Sequence, residues 1–223
     1  MAVTLDFAAV LIEWRMLLKG VAWTLGLTAV STVLGLTLGI VCAWTRTQGP
    51  SWAKPVVAGY VELIRNTPFI VQLFFIFFGL PVAGLRMSPE WASALAMVIN
   101  LGAYSAEIVR AGIQSTPTGQ IEAALSLALS HFQTFTRVVL PPALQRVWPA
   151  IVSQIIIVML GSAVCGQIST EELSYAANLI QSRNFRAFES FIVATVLYLL
   201  LAICVRAALN WLGARFLFGG RPG

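Results

Sequence analysis

Long apolar stretches broken by short polar ones dominate the chain, and the polar positions within the stretches are mostly Gly, Ser and Thr. A hydrocarbon core about 30 Å thick takes roughly 20 residues of helix to cross, and five segments meet that length. The first runs from about 20 to 44 and is rich in Gly, Thr and Ser, small residues that let neighbouring helices pack closely. The second ends near Pro81; since Phe69 to Leu80 spans only about 18 Å as helix, it must reach back to Val61. The third covers 91–109, the fourth 144–166 and the fifth 188–205. Trp91, Trp148 and Trp211 suit the interfacial belts of a bilayer.

Between the third and fourth spans the pattern changes. Residues 116–141 predict two short amphipathic helices, with Thr116 capping the first, Pro117 at its first position, and Ser130 and Gln133 forming a capping box for the second. Leu125, Leu129, Phe132, Thr136 and Val139 share three- and four-residue spacing, and Pro141 and Pro142 are expected to end the second helix. A helix pair that lies on lipid usually carries Lys or Arg along its polar face, whereas Arg137 is the only cation between Gly112 and Gln145. A protein partner fits better. Between the fourth and fifth spans, Ser169 and Glu172 predict another capping box ahead of an apolar face of Leu173, Ala176, Ala177 and Ile180.

Composition agrees with the pattern: 223 residues, 58% hydrophobic and 10% charged, lie far from a soluble domain. The first segment lacks the basic start and cleavage pattern of a signal peptide, so it is expected to stay in the mature protein. Cys42, Cys165 and Cys204 sit in or beside apolar runs without metal-ligand spacing and read as small buried hydrophobes; no metal site and no nucleic-acid partner are expected.

Five spans place the termini on opposite sides, and charge decides which is which. With the C-terminus inside, Arg46, Lys54, Arg65, Arg110, Arg137, Arg146, Arg206, Arg215 and Arg221 are internal, against Arg15, Lys19, Arg86, Arg183 and Arg186 outside. Nine against five predicts an external N-terminus and a cytoplasmic C-terminus, which puts 116–141 in the cytoplasm.

Depth points to a pathway. Gln72 and Asn100 fall near the bilayer midplane, and Asn100, Tyr104 and Glu107 share one helical face. These residues either line a path or hydrogen-bond neighbouring helices. Glu62 with Arg65, and Glu107 with Arg110, stand at i,i+3 and predict ion pairs near the cytoplasmic edge, structural or gating in role. Pro68 frees the carbonyl of Ile64. An intramembrane enzyme is disfavoured, because the one histidine, His131, lies in the loop away from every membrane acid. A self-contained channel or ion-coupled carrier is the alternative; there is no GxxxxGK[ST] stretch, so ATP-driven transport would need its ATPase on another chain.

Gly119-Gln120-Ile121-Glu122-Ala123-Ala124 with Val139-Leu140-Pro141 resembles the EAA loop of bacterial ABC importer permeases. Two further blocks resemble the polar amino acid branch of that family: Glu62-Leu63-Ile64-Arg65-Asn66-Thr67-Pro68 with Gln72-Leu73-Phe74-Phe75, and Ala103-Tyr104-Ser105-Ala106-Glu107-Ile108-Val109-Arg110-Ala111-Gly112-Ile113. Together they cover roughly Gly20 to Phe218. The resemblance implies an all-α integral membrane protein of five transmembrane helices with a cytoplasmic helix-turn-helix coupling loop. It implies a multi-pass subunit of the bacterial inner membrane that carries a polar amino acid inward from a solute-binding protein. Its other partners would be an ABC ATPase dimer, a second copy or homologue of the permease, and membrane lipid. No cofactor is expected on this chain, ATP and Mg belonging to the ATPase. The resemblance puts Asn66, Thr67 and Ser162 beside Gln72, Asn100 and Tyr104 along the path, and gives ATPase coupling to Glu122, Ala123, Ala124, Ala128, Leu129 and Pro141. Two departures stand out. Ala128 occupies a position where the family usually has Gly, and Leu160-Gly161 stand where it commonly has Lys-Asp. The second implies a partial substrate site, with any charged ligand supplied by the second permease.

Overall fold

A computed structural model describes residues 5–217; Arg221 and Phe218 lie outside the described residues. Every regular element among the described residues is helical. After a turn at Ala8–Leu11 come α1 (Trp14–Gln48), α2 (Ala53–Arg65), α3 (Phe69–Ala83), α4 (Pro89–Gln114), α5 (Thr118–Ser126), α6 (His131–Ile168), α7 (Leu173–Asn184) and α8 (Ala187–Phe216). Four of these helices are long and apolar enough to cross a membrane, and the bent pair α2–α3 makes a fifth span.

α4 is the hub. Ala92, Ala96, Met97, Leu101, Ala103, Ala106 and Val109 along it are wholly buried. α1 lies against it along a seam of small residues: a Cβ on Gly35 would stand 3.0 Å from the Leu101 Cβ, and one on Gly39 would stand 3.0 Å from the Ala106 amide nitrogen. Backbones this close are the use to which a membrane helix puts small residues. α8 is peripheral, with only 11% of its apolar window buried. Cys204 is accordingly exposed on α8, against the expectation for all three cysteines, while Cys42 and Cys165 are buried. The Trp148 indole packs into the space left by Gly213 of α8. Trp91 and Trp211 are well exposed.

The second span is two legs rather than one. α2 and α3 meet at 111° across residues 66–68, and the first leg begins at Ala53, well before Val61. Pro68 has extended backbone (ψ 140°) and cannot donate to the preceding turn, so the helix stops and restarts. The helices of the remaining spans extend beyond the apolar stretches into their polar margins.

The loop also departs from its expected outline. Pro117, not Thr116, precedes the first turn of α5, and the buried Thr116 hydroxyl has no hydrogen-bond partner. The Ser130–Gln133 capping box is formed. Pro141 and Pro142 do not end the second loop helix, which continues as α6 into the fourth span. A π-helical turn at Phe135–Val139 precedes the prolines, which take the first positions of the α-helical stretch that follows, where their missing N–H groups interrupt the ladder without ending the helix.

Between α5 and α6 the chain turns through Ala128, at φ 60°. The Leu129 amide donates to the Ala124 carbonyl (3.2 Å) and the Ala128 amide to the Leu125 carbonyl (2.9 Å), the pairing of a Schellman turn. A left-handed alanine costs about 1 kcal/mol or more, so Ala128→Gly is expected to stabilise the turn by about 0.5–1 kcal/mol after the entropy glycine adds to the unfolded chain. Amide exchange over 118–130 measures it. Slowing of about two- to fivefold is expected; unchanged or faster exchange contradicts the strain.

Across the opposite end of the bundle lies α7. Ser169 does not cap it, being itself left-handed (φ 67°). The Glu172 carboxylate caps instead, accepting from the amides of Ser174 (2.9 Å) and Tyr175 (2.7 Å) and from the Tyr198 hydroxyl of α8. The Leu173 amide donates to Thr24 of α1 (3.3 Å), and Ser93 of α4 shares a hydrogen bond with Thr170 (2.7 Å). Leu173, Ala176, Ala177 and Ile180 face inward and are buried. Glu172 is wholly buried, and that burial pushes its carboxyl above the usual carboxylate range against the lowering by Tyr198 and the two amides. The crosspiece is thereby tied to α1, α4 and α8 together.

Candidate functional site: a polar cleft beside a broken helix

The break at Pro68 opens a cleft of about 380 Å³ between α3, α4 and α6. Thr67, Asn100, Tyr104 and Gln154 supply its polar lining, and Gly161 its floor on α6. No acidic or basic side chain lines it among the described residues. Ile157, 59% exposed, stands on its open flank.

Of the residues expected along the path, Thr67, Asn100 and Tyr104 converge here. Gln72 does not line the cleft. Its amide donates to the Ile64 carbonyl (2.7 Å), the Thr67 carbonyl (3.0 Å) and the Thr67 hydroxyl (2.9 Å), and its carbonyl accepts from Asn100 Nδ2 (3.0 Å). The carbonyl that Pro68 strips of its partner is thus satisfied by a side chain four residues beyond the proline. This answers the physical demand that broken backbone in a membrane find another donor. Asn66 is also spent locally, donating to the Glu62 carbonyl (2.8 Å). Ser162 is buried and donates to the Met159 carbonyl (2.6 Å), outside the cleft. All three stand outside this cleft: Gln72 bonds across the break, while Asn66 and Ser162 bond within their own turns.

Gln154 and Gly161 were not among the expected lining residues. Their signal was present: Gln154, Ile157, Val158 and Gly161 follow at i, i+3, i+4 and i+7, one face of α6 with a single amide in an apolar run. A Cβ added to Gly161 would meet nothing within 4 Å, so this is open space at the position where the resembled family carries an acid.

Below the cleft, toward the α5 loop, Glu107 gathers three guanidiniums. Arg110 donates through Nε to Oε1 (3.2 Å) and through Nη2 to Oε2 (2.7 Å), Arg46 of α1 also pairs with Oε1, and Arg65 of α2 approaches Oε2 to 3.8 Å. The expected Glu62–Arg65 pair is absent: Glu62 is exposed, and Arg65 turns instead to Glu107 and over the ring of Tyr104 at 5.6 Å. The cluster joins α1, α2 and α4, which sequence spacing could not reveal because Arg46 is 61 residues from its partner.

In the loop, Ala124 is turned inward (3% exposed), whereas Glu122 and Ala123 face outward. Leu127 (77% exposed) and Phe132 (69% exposed) stand at the tip, on either side of the Ala128 turn. Leu129 is half-buried, and Pro141 lies inside the continuous α6 helix. No group of three His, Cys, Asp or Glu among the described residues is arranged to hold a metal.

Comparison with known proteins matches residues 35–217 to the family described as binding-protein-dependent transport system inner membrane component. The chain is 35% identical over 212 residues to the glutamine transport system permease protein GlnP of Escherichia coli (strain K12), covering 94% of this chain and 97% of that one. It is 32% identical to the arginine transport system permease protein ArtQ of Bacillus subtilis (strain 168), covering 89% and 91%. Among solved structures, a chain from the crystal structure of an amino acid ABC transporter with histidines superposes with TM-score 0.84 at 32% identity, covering 96% of this chain and 100% of that one. A chain of the inward-facing MetNI methionine ABC transporter, at 22% identity and TM-score 0.70 over 94% and 98%, shares the fold.

Proposed function

Because this chain belongs to the family of binding-protein-dependent transport system inner membrane components, we propose that its cleft is one half of an amino acid pathway closed by a second permease. The chain is a multi-pass inner membrane permease subunit of an ABC importer of polar amino acids and not itself an enzyme, hydrolysis belonging to a separate ATPase subunit. The carrying observation is that a cleft lined by Thr67, Asn100, Tyr104 and Gln154 lies open on the flank of Ile157. Neutral donors and acceptors suit the ammonium and carboxylate of a zwitterion without the cost of burying a fixed charge. A second permease, identical or homologous, would face that flank and complete the enclosure, supplying any charged ligand the substrate side chain needs.

The two ends of the bundle take different partners in this reading. The α5–α6 loop faces the cytoplasm, as the excess of Arg and Lys on its side of the membrane-spanning segments supports. Its exposed Leu127 and Phe132, with Glu122 and Ala123 beside them, would seat on one subunit of an ATPase dimer that binds ATP and Mg. α7, tied to three membrane helices, would receive the solute-binding protein from outside. Docking falls to Ala123, Leu127 and Phe132 rather than to the inward Ala124, whose replacement by a bulky residue would first disturb the loop itself.

The test replaces Asn100 and Gln154 separately by Leu in the assembled transporter and follows uptake together with ATPase stimulation by the loaded binding protein. Loss of one to two hydrogen bonds to a charged group, at about 1.5–3 kcal/mol each, predicts uptake lowered by at least about tenfold with the complex intact. Uptake unchanged in both variants would remove the cleft from the pathway.

A further inference from the structure

A second groove, of about 420 Å³, lies between the early turns of α1 and α4. It belongs to neither the cleft nor the loop. Trp91 of the groove and Asn100 of the cleft are nine residues apart, about 180° around the helix, so the groove opens on the side of α4 turned away from the path. At its mouth stand Trp23, Trp91 and Glu90. Inward from them runs a slot past Gly26 to Val30 and Ala94, about 10 Å along α1 at 1.5 Å per residue.

Each part has a chemistry. Gly26 leaves the slot open, since a Cβ there would meet nothing within 4 Å. Apart from Glu90 and Ser88, the groove is lined by Trp23, Leu27, Val30, Trp91 and Ala94, whose side chains are largely or wholly apolar. Glu90 sits in the first turn of α4, where the helix end favours an acid. Yet among the described residues no cation and no hydrogen-bond donor engages its half-buried carboxylate. An unpaired carboxylate that lines one groove with two tryptophans, at the headgroup end of an apolar slot, is complementary to an ammonium: the carboxylate accepts its hydrogen bonds and the indoles attract its charge.

We propose that this groove holds one phosphatidylethanolamine, its primary ammonium at Glu90 between Trp23 and Trp91 and one acyl chain along Gly26 and Val30. A primary ammonium has three N–H donors for Glu90. A phosphatidylcholine headgroup offers charge to the indoles but no donor, and a phosphatidylglycerol headgroup brings a net negative charge to the carboxylate. The site therefore orders the three headgroups as ethanolamine, choline, glycerol.

Native mass spectrometry of the purified transporter complex, equilibrated with equal amounts of the three lipids on matched acyl chains, tests this order. The wild type is expected to retain phosphatidylethanolamine over phosphatidylcholine by about threefold or more. Glu90→Gln, which keeps shape and removes charge, is expected to bring that ratio to near one. Gly26→Leu, whose Cβ meets nothing within 4 Å and whose side chain extends into the slot, is expected to lower retention of all three. Equal retention in the wild type, or a preference that survives both substitutions, overturns the site. So does a preference for phosphatidylglycerol.

Discussion

Gly39→Val is expected to abolish the folded protein. A Cβ at this position would stand 2.5 Å from the Ser105 Cβ, 3.0 Å from the Ala106 nitrogen and 3.1 Å from the Gly102 carbonyl oxygen. Two of those atoms are backbone of the central helix and cannot turn aside, so α1 must move off α4 and open the seam that carries most of the fold. Overpacking a tight core costs about 1–3 kcal/mol and more where nothing yields, which places this change at or beyond the upper figure. Gly59→Val is the control, because a Cβ on Gly59 of α2 meets nothing within 4 Å. The yield of monodisperse protein after extraction, with its thermal midpoint, reads both. A stable Gly39→Val protein would mean that the seam is looser than described.

The second large effect is expected at Glu107. Glu107→Gln leaves the guanidiniums of Arg46, Arg65 and Arg110 facing one another with no anion between them. The carboxylate is only about one-fifth exposed, so the loss falls between the small worth of a surface pair and the 3–5 kcal/mol of a broken buried one; about 2 kcal/mol is a fair expectation. For a chain of this length that corresponds to a thermal midpoint lower by about 4–8 °C. The mechanism has a signature beyond the size of the change. Adding Arg110→Gln to Glu107→Gln removes one of the crowded cations and is expected to recover part of the loss, whereas two unrelated defects would add. A midpoint within about 1 °C of wild type, or a double variant worse than the sum of the singles, would show that the cluster does not hold the three helices together.

Each of these effects belongs to a contact whose partners are far apart in the chain, and that separates what could be read early from what could not. The small residues of the first span announced close packing, but not that Gly35 and Gly39 meet α4 rather than another helix. Glu107 and Arg110 were legible as a pair because three residues of helix put them on one face. Arg46 was not, and it is the tertiary approach of α1 that turns a pair into a cluster. Pro68 was legible as a break that frees the Ile64 carbonyl. What satisfies that carbonyl was not: Gln72 supplies the donor and stands outside the cleft.

By itself the sequence determined the class of protein, the number and order of the apolar segments, the loop between the third and fourth of them, and the family blocks at residues 62–75, 103–113 and 119–141. These follow from quantities local in the chain: hydropathy summed over a bilayer's thickness, caps and prolines acting within a turn, and residue identities at fixed spacing. Only the tertiary structure decided which polar residues face open space. Gln154 and Gly161 reach the cleft while Gln72, Asn66 and Ser162 do not, and Ala124 turns inward while Leu127 and Phe132 turn out. The physical reason is that a buried polar group must find a partner wherever the fold provides one. Whether an amide is spent on a broken helix or left to a solute depends on which backbone carbonyls the packing leaves unpaired beside it.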